Sequence, residues 1–307
     1  MAFAQRLAIL PGGLGTLLVH CRFCSLEAYI DRYFGTYQPV KLLTSLPGGI
    51  GTATGRRLRA QGARLAILYA PFEASRRDAL LHDAFSASEL EQGELQTYEC
   101  DISSPASVQN AFSELANDFV TTEKRPRSFP SMLVNTAGYV SLSKMEDTPP
   151  EETIKNLHTN VLGPMLTSQA FAKLYFRAFE AAKESPSPPP PGRVVNISSQ
   201  AAHVALHLHS AYCASKAGLN ALTRSMASEW GPRGITANSI SPTVVWTEMG
   251  KKAWADEVAR EEYLRQIPTG RFALPDEIAN AVEFLCQDSS GMVNGADLRV
   301  DGGFTIR

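Results

Sequence analysis

Short runs of aliphatic and β-branched residues alternate with longer, helix-length segments from residue 41 to the end of the chain. Helix-length segments include Ala211–Glu229 and Asp276–Gln287. The predicted strands are Lys41–Thr44, Arg64–Tyr69, Leu95–Cys100, Met132–Asn135, Arg193–Ile197, Thr236–Ser239 and Ala296–Val300. This alternation predicts an α/β fold, a doubly wound Rossmann-type parallel sheet of about seven strands with helices on both faces.

Two polar segments interrupt this pattern without dividing it. Thr121–Pro130 is charged and Ser185–Gly192 is proline-rich, so neither has the composition to pack a core, and both are predicted surface insertions. We therefore expect one domain over residues 41–307, preceded by an extension over residues 1–40. Within the extension, Pro11-Gly12-Gly13 divides the apolar stretch, which argues against a secretory signal. An arginine-rich transit peptide and an extension with no targeting role both remain open, and we expect a cytoplasmic protein.

Composition excludes several classes of function. A net charge of −2 with a pI near 6.3 gives no electrostatic footprint for nucleic acid or an anionic membrane. No run of 18 apolar residues is present, so no membrane span is predicted. The five cysteines are too scattered for a disulfide framework, and Cys21-x-x-Cys24 lacks a second ligand pair. His203, His207 and His209 do not have helical zinc spacing, so no metal site is expected.

A glycine-rich turn follows the first strand, in the sequence Thr44-Ser-Leu-Pro-Gly-Gly-Ile-Gly51. Glycines at a strand-to-helix turn let the backbone approach a pyrophosphate at the helix N-terminus. Taken alone, such a turn is equally consistent with an ordinary loop. Asp101 after the third strand can accept a hydrogen bond from an adenine amino group. Asn135-Thr-Ala-Gly138 follows the fourth strand, at the edge where open α/β sheets bind ligands.

Four polar residues form a candidate catalytic set. Tyr212 and Lys216 have i, i+4 spacing, so a helix presents them on one face. A nearby ammonium stabilises a phenolate, and we expect it to bring the tyrosine pKa toward neutrality. Ser199 at a strand end can hold the substrate oxygen, and Asn160 can hold a water that links Lys216 to solvent. Each residue alone has an ordinary structural explanation, but their occurrence together in this order along the chain favours a catalytic role.

The chain from 41 to 307 resembles the short-chain dehydrogenase/reductase family throughout. The motifs that carry the resemblance are TSLPGGIG (44–51), NTAG (135–138), Asn160, NISS (196–199), YCASK (212–216), SPTVVWTEM (241–249) and VDGGF (300–304). The resemblance implies an NAD(P)(H)-dependent oxidoreductase with a catalytic tetrad of Asn160, Ser199, Tyr212 and Lys216. It assigns cofactor contacts to Thr44, Ser45, Gly49, Ile50, Gly51, Tyr69, Asp101, Ile102, Asn135, Ala137, Gly138, Tyr212, Lys216, Pro242, Val245 and Thr247.

The second half is similar to the tetrameric carbonyl reductases of that family. This similarity implies a homotetramer and a small-molecule carbonyl or alcohol substrate. It also implies that Gln200, His209 and Trp254 face the substrate together with Ser199 and Tyr212. A small sugar, a polyol or a dicarbonyl suits such a mixed polar and apolar pocket.

Two departures from the family pattern bear on the cofactor. Ser45 replaces the first glycine of the phosphate turn, and the second strand ends without the acid that binds the ribose in NAD enzymes. Because Arg76 or Arg77 can reach a 2′-phosphate, we expect a preference for NADP(H). Two alternative functions remain: a ketoreductase for a polyketide or acyl-thioester intermediate, and a non-catalytic cofactor-sensing protein.

Overall fold

A computed structural model of the chain describes residues 38–44, 49–91, 95–120, 128–183 and 189–306. Within those ranges it contains one seven-stranded parallel sheet in the order β3-β2-β1-β4-β5-β6-β7. The strands are β1 (Gln38–Thr44), β2 (Arg64–Tyr69), β3 (Leu95–Glu99), β4 (Ser128–Asn135), β5 (Gly192–Ile197), β6 (Ile235–Pro242) and β7 (Asp297–Val300). The predicted doubly wound α/β fold is therefore confirmed.

Helices connect these strands. Those within the described ranges are α1 (Gly49–Ala60), α2 (Arg77–Ala84), α3 (Ala87–Glu91), α4 (Pro105–Val120), α5 (Pro150–Leu157), α6 (Gly163–Ala182), α7 (Ser210–Trp230), α8 (Glu248–Ala253), α9 (Glu257–Leu264) and α10 (Pro275–Cys286). A π-helical turn, His158–Leu162, joins α5 to α6.

Two apolar clusters cover the two faces of the sheet. On one face, α4, α6 and α7 pack through side chains such as Leu115, Phe171 and Met226. On the other face, α1, α2 and α10 pack through Leu58, Leu81 and Val282 among others. Because both faces are covered, β2 and β5 are buried at every position rather than at alternate ones.

Two predicted boundaries are corrected by the structure. The first strand begins at Gln38, so residues 38–40 join the sheet rather than the extension. The fourth strand begins at Ser128, where the charged insertion was expected to continue, because residues 128–130 pair with 38–40. Both additions are a few residues of extended chain next to polar or proline-containing sequence, which weakens the strand pattern. Predictions for residues 1–37 lie outside the described residues.

Candidate active site

The order of the strands creates a crevice at the carboxyl edge of the sheet. The chain runs outward from β1 to β3 and then returns to β4, which lies directly beside β1. Ligands of open α/β sheets bind at such a reversal point. The two strand ends are joined there, since the Thr136 N–H donates to Thr44 Oγ1 (3.0 Å) and the Thr136 hydroxyl donates to the Thr44 carbonyl (3.1 Å).

Asn160 lies in the π-helical turn between α5 and α6, and Pro164 explains why the turn is wide there. Proline has no N–H, so it cannot donate to the carbonyl four residues earlier, which is that of Asn160. Single π-turns of this kind are often found at functional sites. The turn therefore leaves the Asn160 main-chain carbonyl without its usual helical partner.

The Asn160 side chain is buried and fixed by the loop after β4. Its Oδ1 accepts from the Tyr139 N–H (2.8 Å), while its Nδ2 donates to the Tyr139 carbonyl (2.7 Å) and to Ser215 Oγ (2.9 Å). Ser215 in turn donates to the Tyr212 carbonyl (2.8 Å). These bonds hold α7, which carries Tyr212, against the loop after β4. Sequence reasoning missed both Tyr139, which acts through its backbone, and Ser215, which lies inside the recognised YCASK motif.

Lys216 follows one helical turn after Tyr212 and is almost completely buried. Its Nζ donates to the Ile197 carbonyl (2.9 Å) and lies 5.7 Å from the centre of the Tyr212 ring. Burial lowers the Lys216 pKa to about 8. An amine with this pKa exchanges protons readily near neutral pH.

Ser199, at the end of β5, is close to the Tyr212 hydroxyl. Burial raises the pKa of Tyr212 above its usual range, and the Ser199 hydroxyl offsets part of that rise. Our expectation that Lys216 brings the tyrosine pKa toward neutrality is thus wrong for the protein alone, because desolvation of the phenol dominates. The geometry nevertheless brings Ser199, Tyr212, Lys216 and Asn160 together as expected.

Two glycines allow close approaches along this crevice. A Cβ added to Gly138 would lie 3.5 Å from Lys216 Nζ and 3.6 Å from Asn160 Oδ1, so the backbone itself lines the space beside the tetrad. A Cβ added to Gly49 would come within 2.7 Å of the Thr247 side chain. The first turn of α1 carries no acid, which suits a pyrophosphate at its N-terminus. The residues present therefore fit an NAD(P) molecule.

The remaining residues expected to contact the cofactor are distributed along the same edge. Asp101 Oδ1 accepts from the Ser103 N–H (2.9 Å) and hydroxyl (2.7 Å), and Ile102 packs against Gly163. Asn135 differs from expectation, because its buried side chain bonds to Asn196, Thr167 and Ser168 inside the protein. Only its backbone is available to a ligand. Ile50, Gly51 and Ala137 lie at the same edge, whereas Ser45 lies outside the described residues.

The end of β2 presents charges of both signs. The Arg77 guanidinium lies 5.9 Å from the centre of the Tyr69 ring and bonds to the Asp78 carboxylate (2.8 Å). Glu73, which sequence reasoning missed, accepts from the Ala70 N–H (2.8 Å), and burial raises its pKa. Arg76 is close enough to Glu73 to oppose that rise in pKa. The adenosine end of the crevice therefore faces both an acid and two arginines.

A covering segment runs from the end of β6 to the start of α10. It follows Pro242 and is closed by a bridge between Val245 and Ala273 and by the Trp246 N–H, which donates to the Ala273 carbonyl (2.8 Å). The Thr247 hydroxyl caps α8 by accepting from the Gly250 N–H (3.1 Å). The covering segment, residues 243–273, thus leaves and rejoins the domain at neighbouring points.

The residues expected to meet the substrate lie beside Ser199, beside Tyr212 and in this covering segment. Gln200 is buried, and its Nε2 donates to the hydroxyl of Tyr263 on α9. Trp254 packs on Tyr263 with ring centres 4.4 Å apart. The His209 ring lies edge-on to Tyr212 with centres 6.1 Å apart, and its Nδ1 is 2.6 Å from the His207 carbonyl. A carbonyl only accepts, so Nδ1 carries the proton and a neutral His209 presents Nε2 as an acceptor.

His203 is bound more firmly than its loop position suggested. Its Nε2 lies 2.6 Å from Asp297, whose other oxygen accepts from the hydroxyls of Ser239 (2.6 Å) and Ser241 (2.8 Å). This cluster ties the loop after β5 to the β6–β7 edge. In the part of the chain that the structure describes, no group of three or more His, Cys, Asp or Glu residues could hold a metal ion.

Comparisons with known proteins agree with this geometry. Residues 46–305 match a family model described as enoyl-(acyl carrier protein) reductase. The D-threitol dehydrogenase of Mycolicibacterium smegmatis is 39% identical over 92% of this chain and 98% of its own length. The chain belongs to the short-chain dehydrogenase/reductase family. As a member, it is an oxidoreductase that acts on CH–OH groups with NAD(P).

Other similar short-chain dehydrogenases/reductases also have sugar or polyol substrates in their names. The L-xylulose reductase of Homo sapiens is 33% identical over 86% of this chain and 95% of its own. The aldohexose dehydrogenase of Thermoplasma acidophilum aligns with a TM-score of 0.71 at 25% identity, over 90% of this chain and 97% of its own.

No helix among the described residues is long and apolar enough to cross a membrane.

Proposed function

We propose that the protein interconverts the carbonyl and secondary-alcohol forms of a small sugar or polyol, using the Asn160, Ser199, Tyr212 and Lys216 tetrad. The observation that carries the proposal is the placement of Ser199 and buried Lys216 beside Tyr212, with Lys216 Nζ 5.7 Å from the centre of the Tyr212 ring. Ser199 holds the substrate oxygen, and Tyr212 gives or takes its proton. The NAD(P) cofactor supplies or accepts the hydride.

The proton on Tyr212 is renewed through Lys216 in this proposal. The Lys216 pKa near 8 lets the amine pass protons at neutral pH, and Asn160 lies at its other side. The Asn160 carbonyl, freed by Pro164, is the acceptor for a water that leads to solvent. A protonated Lys216 also favours the Tyr212 phenolate once the proton has left.

Recognition of hydroxyl groups rests on acceptors in the substrate region. His209 presents Nε2 as an acceptor, and hydroxyl groups of a polyol or ketose are donors that can meet it. A diketone carries no such donors. A site built for hydroxyls discriminates against analogues that lack them, since its own polar groups are then left unpaired. The names of the threitol and xylulose relatives support the same substrate class.

For the cofactor we propose a preference for NADP(H), based on Arg76 and Arg77 after β2. Arg76 is the better placed of the two, because Arg77 is engaged by Asp78. Glu73 opposes the preference, as its carboxylate would repel a 2′-phosphate. Arg76→Ala should therefore raise the KM for NADPH several-fold and leave that for NADH unchanged. Equal KM changes for both cofactors would remove Arg76 from this role.

We further propose a homotetramer. Ile154, Leu157 and Met165, on the helices either side of the π-turn, are apolar and at least 38% exposed in the single chain. A second copy packed on this face would cover them, and stable assemblies of this kind bury roughly 2,000 Å² or more. Light scattering should return four times the 33.3 kDa chain mass. A stable monomer at micromolar concentration would contradict the proposal.

The decisive experiment is a kinetic panel on the purified enzyme with both NADH and NADPH. D-erythrulose and diacetyl make a matched pair, because both have four carbons and only the first carries hydroxyl groups. We expect kcat/KM for erythrulose to exceed that for diacetyl by tenfold or more. Reduction of an acyl-thioester substrate alone would favour the ketoreductase alternative. Cofactor binding without turnover of any compound would favour a sensing protein.

A further inference from the structure

The Gln200 side chain is held at one end only. Its Nε2 donates to the Tyr263 hydroxyl, whereas its Oε1 is buried with no hydrogen-bond partner among the described residues. Gln200 as a whole is 2% exposed, so bulk water does not supply the missing hydrogen bond to Oε1. Buried amide oxygens are rarely left unpaired, and where they are, a ligand or an ordered water commonly completes them.

The position of Gln200 indicates which ligand this is. Gln200 directly follows Ser199, which lies beside the Tyr212 hydroxyl, and it opens the short turn after β5. A carbonyl oxygen at this place accepts hydrogen bonds and cannot donate. It can therefore accept a hydrogen bond from a hydroxyl group next to the reacting carbon, but it cannot form one with a second ketone.

Tyr263 holds one end of the Gln200 amide. The tyrosine ring is fixed by neighbours on three sides, with ring centres 4.4 Å from Trp254, 5.3 Å from Phe304 and 6.1 Å from Phe272. Its hydroxyl accepts from Nε2, and the Oε1 end remains for a ligand.

We propose that Tyr263 is a positioning residue for substrate specificity, which holds Gln200 so that Oε1 accepts from a hydroxyl adjacent to the reacting carbonyl. The inference rests on the proposed function and adds a residue from the covering segment to it. Tyr263 belongs to α9 and Gln200 to the turn after β5. One hydrogen bond therefore links the covering segment to the residue that recognises the hydroxyl group in this proposal.

The test compares wild type, Tyr263→Phe, Gln200→Ala and the double variant. Tyr263→Phe keeps the ring and its aromatic neighbours and removes only the hydroxyl. We expect kcat/KM for erythrulose to fall about tenfold through KM, with diacetyl changed less than twofold. In the Gln200→Ala background, Tyr263→Phe should have no further effect on erythrulose, since the two residues act through the same contact.

Tyr98→Phe is the matched control, because it also removes a bonded phenol hydroxyl but lies on β3, away from the site. It should leave the ratio of the two kcat/KM values unchanged. Equal losses for both substrates in Tyr263→Phe would overturn the inference, and so would full additivity in the double variant. In either case, a wild-type preference for erythrulose would still support the proposed function. Wild type that reduced neither compound would overturn both.

Discussion

Removal of the Tyr212 hydroxyl tests the proposed chemistry most directly. Tyr212→Phe keeps the ring beside His209 and leaves the Lys216 bond to the Ile197 carbonyl untouched. It removes the proton donor next to Ser199. General acid–base assistance contributes roughly 10²–10⁴-fold, so kcat should fall by at least about a hundredfold. Loss of the buried hydroxyl should change the free energy of unfolding by only about 1 kcal/mol.

The assay has two parts, steady-state reduction of erythrulose and cofactor binding by fluorescence. We expect the dissociation constant for the cofactor to stay within about twofold of wild type, since the change lies on the substrate side of Lys216. Tyr139→Phe is the control, because its hydroxyl bonds to Glu152 (2.6 Å) while its backbone still holds Asn160. A Tyr212→Phe enzyme with kcat within threefold of wild type and normal cofactor affinity would refute the tetrad.

Three further changes have defined outcomes. Lys216→Met should abolish turnover yet raise the free energy of unfolding at pH 7 by about 2–3 kcal/mol. The reason is that burial lowers the Lys216 pKa from 10.5 to about 8, so the unfolded chain holds the proton more tightly than the folded chain does. In urea titrations the gain should fade as the pH rises toward 10.5, where the amine is neutral in both states, and a gain independent of pH would contradict this cause. Pro164→Ala restores an N–H that can bond to the Asn160 carbonyl, so kcat should fall roughly tenfold or more without loss of thermal stability, and unchanged kcat would separate the π-turn from catalysis. His209→Ala should lower kcat/KM for erythrulose more than for diacetyl, whereas Trp254→Ala should lower both, and equal losses in His209→Ala would argue against hydroxyl recognition.

The strands and the proximity of Tyr212 to Lys216 were predictable because each depends on short-range sequence patterns. β2 is mostly aliphatic and β5 contains Val194, Val195 and Ile197, and the predicted bounds of both strands agree with the structure to within one residue. Tyr212 and Lys216 share a helix face through simple i, i+4 spacing. The added strand residues at 38–40 and 128–130 escaped prediction because they become strands by pairing with each other and, at Val40, with Arg64. Their sequence alone carries too weak a pattern.

The side-chain partners within the site were not predictable in the same way. Tyr263 lies far along the chain from Gln200, and no motif marks an aromatic residue on a helix of mixed composition. The motif around Asn135 identified the right strand end, but nothing in the sequence shows that the Asn135 side chain turns inward. The direction of the Tyr212 pKa shift was also not predictable. The sequence shows that a lysine is near, but it does not show how strongly burial raises the pKa of the phenol.

The covering segment has a consequence for how specificity can change over time. It departs and returns through the Val245–Ala273 bridge, so substitutions or length changes between those points need not displace β6 or α10. The proton-transfer residues lie on β5, the π-turn and α7, outside that excursion. Of the residues proposed to recognise substrate, Trp254 and Tyr263 lie within that excursion, whereas Gln200 and His209 lie next to the proton-transfer residues. An exchange of the excursion between relatives should alter substrate preference while the recipient keeps its own reaction.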